Sequence, residues 1–260
     1  MGKIKRCGLL LFITVVSIFA FTFAFGNHSF AQAKTITVGT TGGGYPTSYK
    51  KDGKLTGFDV EVVNKIAKRL GYKVKWKTAD LDGLFGDLES GRVDTIANNL
   101  GSTPERAKKY NFSEAYSQDY VAVAVTKNSG IKSIKDLSGK NVSGYLGSNT
   151  IKVLQKQNSK VNIKTYETKD QSYEALVNEH VDGVVSTKPM LEAIIHQRKL
   201  NWKIVAGDKT KSNIVLPFTK DAKGNKLRKQ FNKELKAMKK DGSLAKISTK
   251  YFGYATIKKQ

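Results

Sequence analysis

Cysteine is almost missing from this sequence: Cys7 is the only one in 260 residues, and it stands before the one long hydrophobic run. A lipid-bearing cysteine would have to follow that run, so anchoring through Cys7 is excluded. The rest of the chain has no disulfide, thiolate metal site or cysteine nucleophile. Histidine is scarce too. His28 lies near the start, while His180 and His196 fall on predicted surface helices or their ends, so acid–base catalysis has few candidates. Beyond Phe25 no stretch is apolar enough to span a bilayer. No low-complexity or disordered block interrupts the chain apart from its termini. Negative charge is also short, with 22 Asp and Glu against 45 Lys and Arg, a formal +23. The basic residues are nonetheless scattered singly or in pairs, without a stripe interleaved with stacking aromatics, which argues against nucleic acid. A solvated basic surface and long-range attraction to anionic cell-envelope polymers both remain open.

What is present begins with a leader. Lys3, Lys5 and Arg6 precede an uncharged apolar run from Leu9 to Phe25, and Ala31-Gln32-Ala33 offers the small-x-small spacing of a cleavage site. Residues 1–33 therefore read as a signal peptide of an exported, extracellular or cell-surface protein that begins near Lys34. An uncleaved anchor is the alternative, since the run reaches the lower limit for a spanning helix. Without the three basic leader residues the charge is +20.

The exported part alternates strands and helices. "TITVGTT" reads as a strand, "GGGYPTSYKKDGKLTG" as a loop, and "FDVEVVNKIAKRLG" as a helix with Phe58, Val62, Val63, Ile66, Ala67 and Leu70 on one stripe and Gly71 as its stop. "YKVKWKTA", "LDGLFGDLESG" and "RVDTIANN" continue as strand, helix and buried strand, the order of a parallel α/β sheet. The pattern restarts at "YVAVAV". "LFGDLESGRVDTIAN" is echoed by "SYEALVNEHVDGVVS", each running helix, Val-Asp, strand. "NIVLPF" is a second apolar strand able to return the chain, followed by a helical tail with Leu227, Phe231, Leu235 and Met238 inward. Two α/β lobes joined by two crossovers predict a clamshell, with lobe 1 from 34–118 plus 216–260 and lobe 2, including hinge strands, from 119–215. Its cleft would lie at the carboxyl ends of the strands, where helix N-termini present N–H groups.

"STPERAKKYNFSEAY" poses a question of charge. Thr103 suits an N-cap, Pro104 the first helical position and Glu105 the positive helix end, but Arg106 opposes the dipole. It is either a tolerated surface charge or a residue held for an anion.

"GKLTGFDVEVVNKIAKRLG", "DLDGLFGDLESGRVDTIA", "STPERAKKYNFSEAY" and "KKDGSLAKISTKYFG", in this order over essentially the whole exported chain, resemble the polar amino acid-binding proteins of ABC importers, bacterial solute-binding proteins of family 3. "DTIANN", "KKYNFSEAY" and "GSN" are nearest to cystine-binding members. The resemblance implies a two-lobed periplasmic-binding-protein-like (type II) clamshell that captures a small carboxylate-bearing ligand as a monomer, without a cofactor, and delivers it to an ABC permease. It implies that Arg106 grips the ligand α-carboxylate, a match for a guanidinium fork. Tyr45 would be the aromatic wall. Asn98 and Asn99 would face the cleft, with Ser148 and Asn149 opposite at a helix start; each of these four could equally be simple capping.

Three positions depart from the family. Gly101 replaces a Thr or Ser hydroxyl, Leu81 replaces a Trp or Phe, and Thr187 replaces the aspartate that accepts the ligand ammonium. Either another acid serves, with Asp82 and Glu114 as candidates, or the ligand is displaced from the common amino acids toward cystine, a peptide-like compound or an acid without a free amine. A surface adhesin held by charge and a dehydratase, an activity known on this fold for cyclohexadienyl acids, are the alternative functions.

Overall fold

The computed structural model describes residues 34–207 and 211–257. The leader assigned to residues 1–33 lies outside them. The first strand β1 (Thr35–Thr40) is central in a three-stranded parallel sheet, between β4 (Lys73–Thr78) and β5 (Thr95–Ile96). The loop expected before the first helix contains a hairpin, β2 (Tyr49–Lys51) and β3 (Lys54–Thr56), turned by Asp52 and Gly53 in left-handed conformations. Helix α1 (Phe58–Leu70) buries Phe58, Val62, Val63, Ile66 and Ala67 and ends on a left-handed Gly71, as its stripe predicts. Helix α2 (Leu81–Glu89) is capped by Asp80, whose carboxylate accepts from Gly83 N at 2.6 Å.

The second sheet has five strands in the order β10 (Asn162–Tyr166), β9 (Asn141–Tyr145), β11 (Gly183–Thr187), β8 (Val121–Thr126), β12 (Trp202–Ala206). The first three are parallel, whereas β8 runs antiparallel to both neighbours. That reversal has a simple cause: β8 enters this lobe directly from the hinge, without a crossover helix to turn it round. Helices α4 (Asn149–Gln157), α5 (Lys169–Val177) and α6 (Lys188–Arg198) cover this sheet.

The echo between the lobes has a structural basis. Asp94 Oδ2 accepts from Thr37 N on β1, and Asp182 Oδ2 accepts from Asn141 N on β9, each at 2.8 Å. Each aspartate also donates its own N–H back to the same strand residue. Each Val-Asp pair thus locks its incoming strand onto the edge of the preceding one.

The "NIVLPF" crossover is two short strands and not one. β13 (Ser212–Ile214) pairs with β7 (Ser117–Asp119), and β14 (Pro217–Phe218) with β6 (Asn111–Phe112), both antiparallel. Pro217 has no N–H for a continuous ladder. The outgoing crossover, through β6 and β7, and the returning one, through β13 and β14, thus pair with each other. The tail is likewise broken, into α7 (Ala222–Lys240) and α8 (Ser243–Phe252), by Gly242 at φ 77°. Leu227, Phe231, Leu235 and Met238 are buried with α1 and β1 in the first core. That cluster also takes in Met190 and Ala193 of α6, and Tyr254 donates to Glu192 Oε2 at 2.7 Å, so the C-terminal segment braces the second lobe.

Candidate functional site

Where the two sheets present the C-terminal ends of their parallel strands lies a cavity of about 430 Å³. Residues 98–102 follow β5, residues 148–150 follow β9, and Thr187 ends β11, so both lobes and the hinge contribute to its lining. The lobes meet on either side of it. Tyr145 packs into the Leu81, Leu84 and Leu88 cluster, and the stem of Lys169 passes over Gly44, where a Cβ would lie 2.8 Å from Lys169 Cδ.

The loop after β5 is set from below by a buried carboxylate. Asp59, in the first turn of α1, accepts from Asn99 N at 2.6 Å through Oδ2 and from the Tyr116 hydroxyl at 2.9 Å through Oδ1. Asn99 has φ 52°, a left-handed conformation that asparagine tolerates, and the Asp59 bond holds it there. Burial pushes the Asp59 carboxyl up to about 6, against the opposing pull of Lys169, Tyr116 and the Asn99 N–H. Asn98 is fixed through Oδ1, which accepts from Thr41 Oγ1 at 2.7 Å, and its buried Nδ2 has no partner among the described residues.

Helix α3 (Pro104–Lys109) begins as the sequence predicts, with Thr103 Oγ1 accepting from Arg106 N at 3.2 Å and Pro104 in the first turn. The Arg106 side chain turns into the lining. Nη1 donates to Gly101 O at 3.0 Å, and Cζ sits 5.3 Å from the Phe85 ring centroid. It forms no ion pair among the described residues. A positioned, half-buried guanidinium with donors to spare has the charge and geometry to receive an anion.

Three ionisable or hydroxyl groups from the hinge and the second lobe also line the cavity. Asp119 ends hinge strand β7, is 5% exposed, and leaves Oδ1 without a partner. Burial pushes its carboxyl up to about 7; the Thr187 and Asn99 side chains and the Lys169 charge pull the other way, and Asp59 adds to the rise. Thr187 itself has a buried, unpartnered Oγ1. Lys169 opens α5, and its Nζ is buried without a hydrogen-bond partner, 5.9 Å from the Tyr145 ring centroid. Burial lowers its affinity for its proton, offset by Asp59, Asp170 and Asp119.

Of the expected site residues, Arg106, Asn98, Asn99, Gly101, Leu81, Ser148, Asn149 and Thr187 all line the cavity. Tyr45 does not. It precedes a cis Pro46 and stacks edge-on against Tyr49 at 5.1 Å, packed between two hydrophobic clusters. The tyrosine in the lining is Tyr145, whose buried hydroxyl also lacks a partner and which burial holds at about 12. Neither acid proposed to replace the missing aspartate reaches the cavity. Asp82 is exposed, and Glu114 pairs with Lys236 and Lys239. Among the described residues the acid in the lining is Asp119, which the sequence reading did not single out. His180 and His196 are exposed and outside the lining. Among the described residues no cluster of His, Cys, Asp and Glu could hold a metal ion, and no helix is long and apolar enough to cross a membrane.

The cavity thus carries a guanidinium from one lobe and buried polar groups from both lobes and the hinge. The chain belongs to the bacterial extracellular solute-binding proteins, family 3, whose model matches residues 36–254. It is 39% identical over 256 residues to the probable amino-acid-binding protein YxeM of Bacillus subtilis, covering 96% of each chain. It is 37% identical over 230 residues to the L-cystine-binding protein TcyA of the same species, covering 86% of this chain and 84% of that protein. A solved structure concerning glutathione import in Gram-positive bacteria via GshT and the cystine ABC importer TcyBC of Streptococcus mutans superposes with a TM-score of 0.80. It is 31% identical, over 87% of this chain and 98% of that one.

Proposed function

We propose that this protein is the exported ligand-capturing component of an ABC importer, closing its two lobes around an amino acid or amino-acid derivative, with cystine the leading candidate. One observation carries the reading. Asn98 Nδ2, Asp119 Oδ1, Tyr145 OH, Lys169 Nζ and Thr187 Oγ1 are buried without a well-formed hydrogen bond among the described residues, with Thr187 beside Asp119 and Asn98 beside Tyr145, and all five residues line the cavity that Arg106 enters. Buried polar groups are costly when unpaired, so five around one cavity mark the contacts of a ligand. Arg106 takes the α-carboxylate, assisted by N–H groups at the start of α4. Asp119, beside Thr187, takes the ammonium that the family's missing aspartate would have held. Cystine is favoured by the cystine-binding relatives and by a volume ample for two linked amino acids. The ligand shifts the hinge toward the form in which both lobes contact it, and a membrane permease would read that form.

A thermal-shift panel of amino acids, cystine and small peptides on residues 34–260 tests this. A ligand at a hundredfold excess over its Kd stabilises by about 2.7 kcal/mol. A shift that disappears in Arg106→Ala supports the reading, and no shift across the panel overturns it.

A further inference from the structure

Among the described residues the cations that line the cavity outnumber the carboxylates that line it. Arg106, Lys156, Lys169 and Lys211 are in the lining, and among the described residues Asp119 is the only carboxylate there. A zwitterionic head group matched to Arg106 and Asp119 uses one of each sign and leaves three lysines. Lys156 and Lys211 are exposed and stay solvated, but Lys169 is not so placed. Its Nζ is buried without a hydrogen-bond partner among the described residues, and Asp59, Asp170 and Asp119 offset that burial only through space. It also stands in the first turn of α5, where the helix dipole disfavours a cation. Its stem packs across Gly44 of the facing lobe, where a Cβ would lie 2.8 Å from Lys169 Cδ, so the ammonium is carried between the lobes.

We infer that Lys169 binds an anionic group at the distal end of the ligand, so that the preferred substrate class is an amino-acid derivative carrying a second carboxylate. This deepens the receptor reading and rests on it. The α-carboxylate and ammonium are held at Arg106 and Asp119, and the side chain extends toward the second lobe, where Lys169, backed by Tyr145, meets its terminal acid. A cationic side chain would instead meet Lys169 and be rejected. Cystine fits only in the orientation that sets its second carboxylate, and not its second ammonium, against this lysine.

Isothermal titration of wild type, Lys169→Met and Lys169→Arg with S-carboxymethylcysteine, S-methylcysteine and cystine tests the assignment. The first two probes share a head group and differ in the distal carboxylate. In wild type, S-carboxymethylcysteine binds about tenfold or more tightly than S-methylcysteine, the worth of one charge-assisted hydrogen bond. Lys169→Met brings the ratio near one, and Lys169→Arg keeps most of the preference. A ratio near one in wild type, or a preference that survives Lys169→Met, overturns the inference while leaving the receptor intact. The wild-type ratio needs no variant to fold. If none of the three probes nor any member of the amino-acid panel binds wild type, the receptor reading itself fails.

Discussion

The Asn99 amide and the Asp59 carboxylate form a 2.6 Å bond that links the first turn of α1 to the loop lining the cleft. With the Tyr116 hydroxyl on its other oxygen, Asp59 accepts one donor on each oxygen. Asp59→Ala orphans both, which at about 1–3 kcal/mol for each predicts a loss of about 2–6 kcal/mol. Asp59→Asn keeps an acceptor for Asn99 and should be far milder. The pH dependence follows from a folded-state carboxyl raised to about 6 from 3.8. Between those values the native chain holds a proton that the unfolded chain has lost, so this contribution to stability is full below about 4 and lost as pH rises through about 6. Chemical denaturation of wild type and Asp59→Asn across pH 4.5–8 checks it. The variant's stability should fall less with rising pH; parallel curves would show that Asp59 does not titrate in this window.

Arg106 bears on affinity more than on stability. Its helix is short, the cap is supplied by Thr103, and the guanidinium makes one protein hydrogen bond. Arg106→Lys retains charge but loses the planar fork and the stacking on Phe85. Titration with whichever amino acid binds wild type should show a loss of about a hundredfold or more in Arg106→Ala and a smaller one in Arg106→Lys. The melting temperature without ligand should move by no more than a few degrees.

How far these residues could be read in advance depends on what buries them. The stripe of α1, the Gly71 stop and the Thr103 cap are local patterns, and each stands in the structure where the sequence places it. The Val-Asp echo was legible because both copies lock a strand by the same short-range bond. Asp119 and Lys169 were not legible. Each looks like a solvated charge along the chain, and only the meeting of hinge, α1 loop and α5 removes it from water. The broken crossover at Pro217 and the hairpin at Tyr49–Thr56 were missed for a related reason, since a turn-rich segment carries little period to read.

Proton release should accompany binding of any ligand with an ammonium. Asp119 is pushed up to about 7, with Lys169, Asp59, Thr187 and Asn99 as its charged and polar neighbours and Tyr254 within electrostatic reach. An ammonium placed beside it favours the carboxylate and lowers that value, so near pH 7 binding expels about half a proton. Affinity should therefore strengthen as pH rises from about 5.5 to 7.5 and then level off. Calorimetry in buffers of different ionisation enthalpy measures the release directly. Asp119→Asn should abolish it and weaken binding; an unchanged release would assign the proton to another group.

Gly101 and Ser212 share one space across the hinge. A Cβ on residue 101 would lie 2.8 Å from Ser212 Oγ, and the two segments are tied by a bridge between Gly101 and Ile214. Ser212 also lines the cavity, so its hydroxyl stands close to where a residue 101 side chain would bring the hydroxyl that Gly101 lacks. Gly101→Ala should then cost about 1 kcal/mol by crowding, with part of the cost relieved because the Ser212 rotamer can move. Adding Ser212→Ala should recover most of it, a favourable coupling expected only for residues in contact. Gly101→Thr with Ser212→Ala transfers the hydroxyl from one hinge strand's neighbour to the other, and should bind ligand better than Ser212→Ala alone. A double-mutant cycle read by denaturation and by titration measures both effects. Additive stabilities would show that the two positions are independent, and Gly101 would then be a space-saving residue with no tie to Ser212.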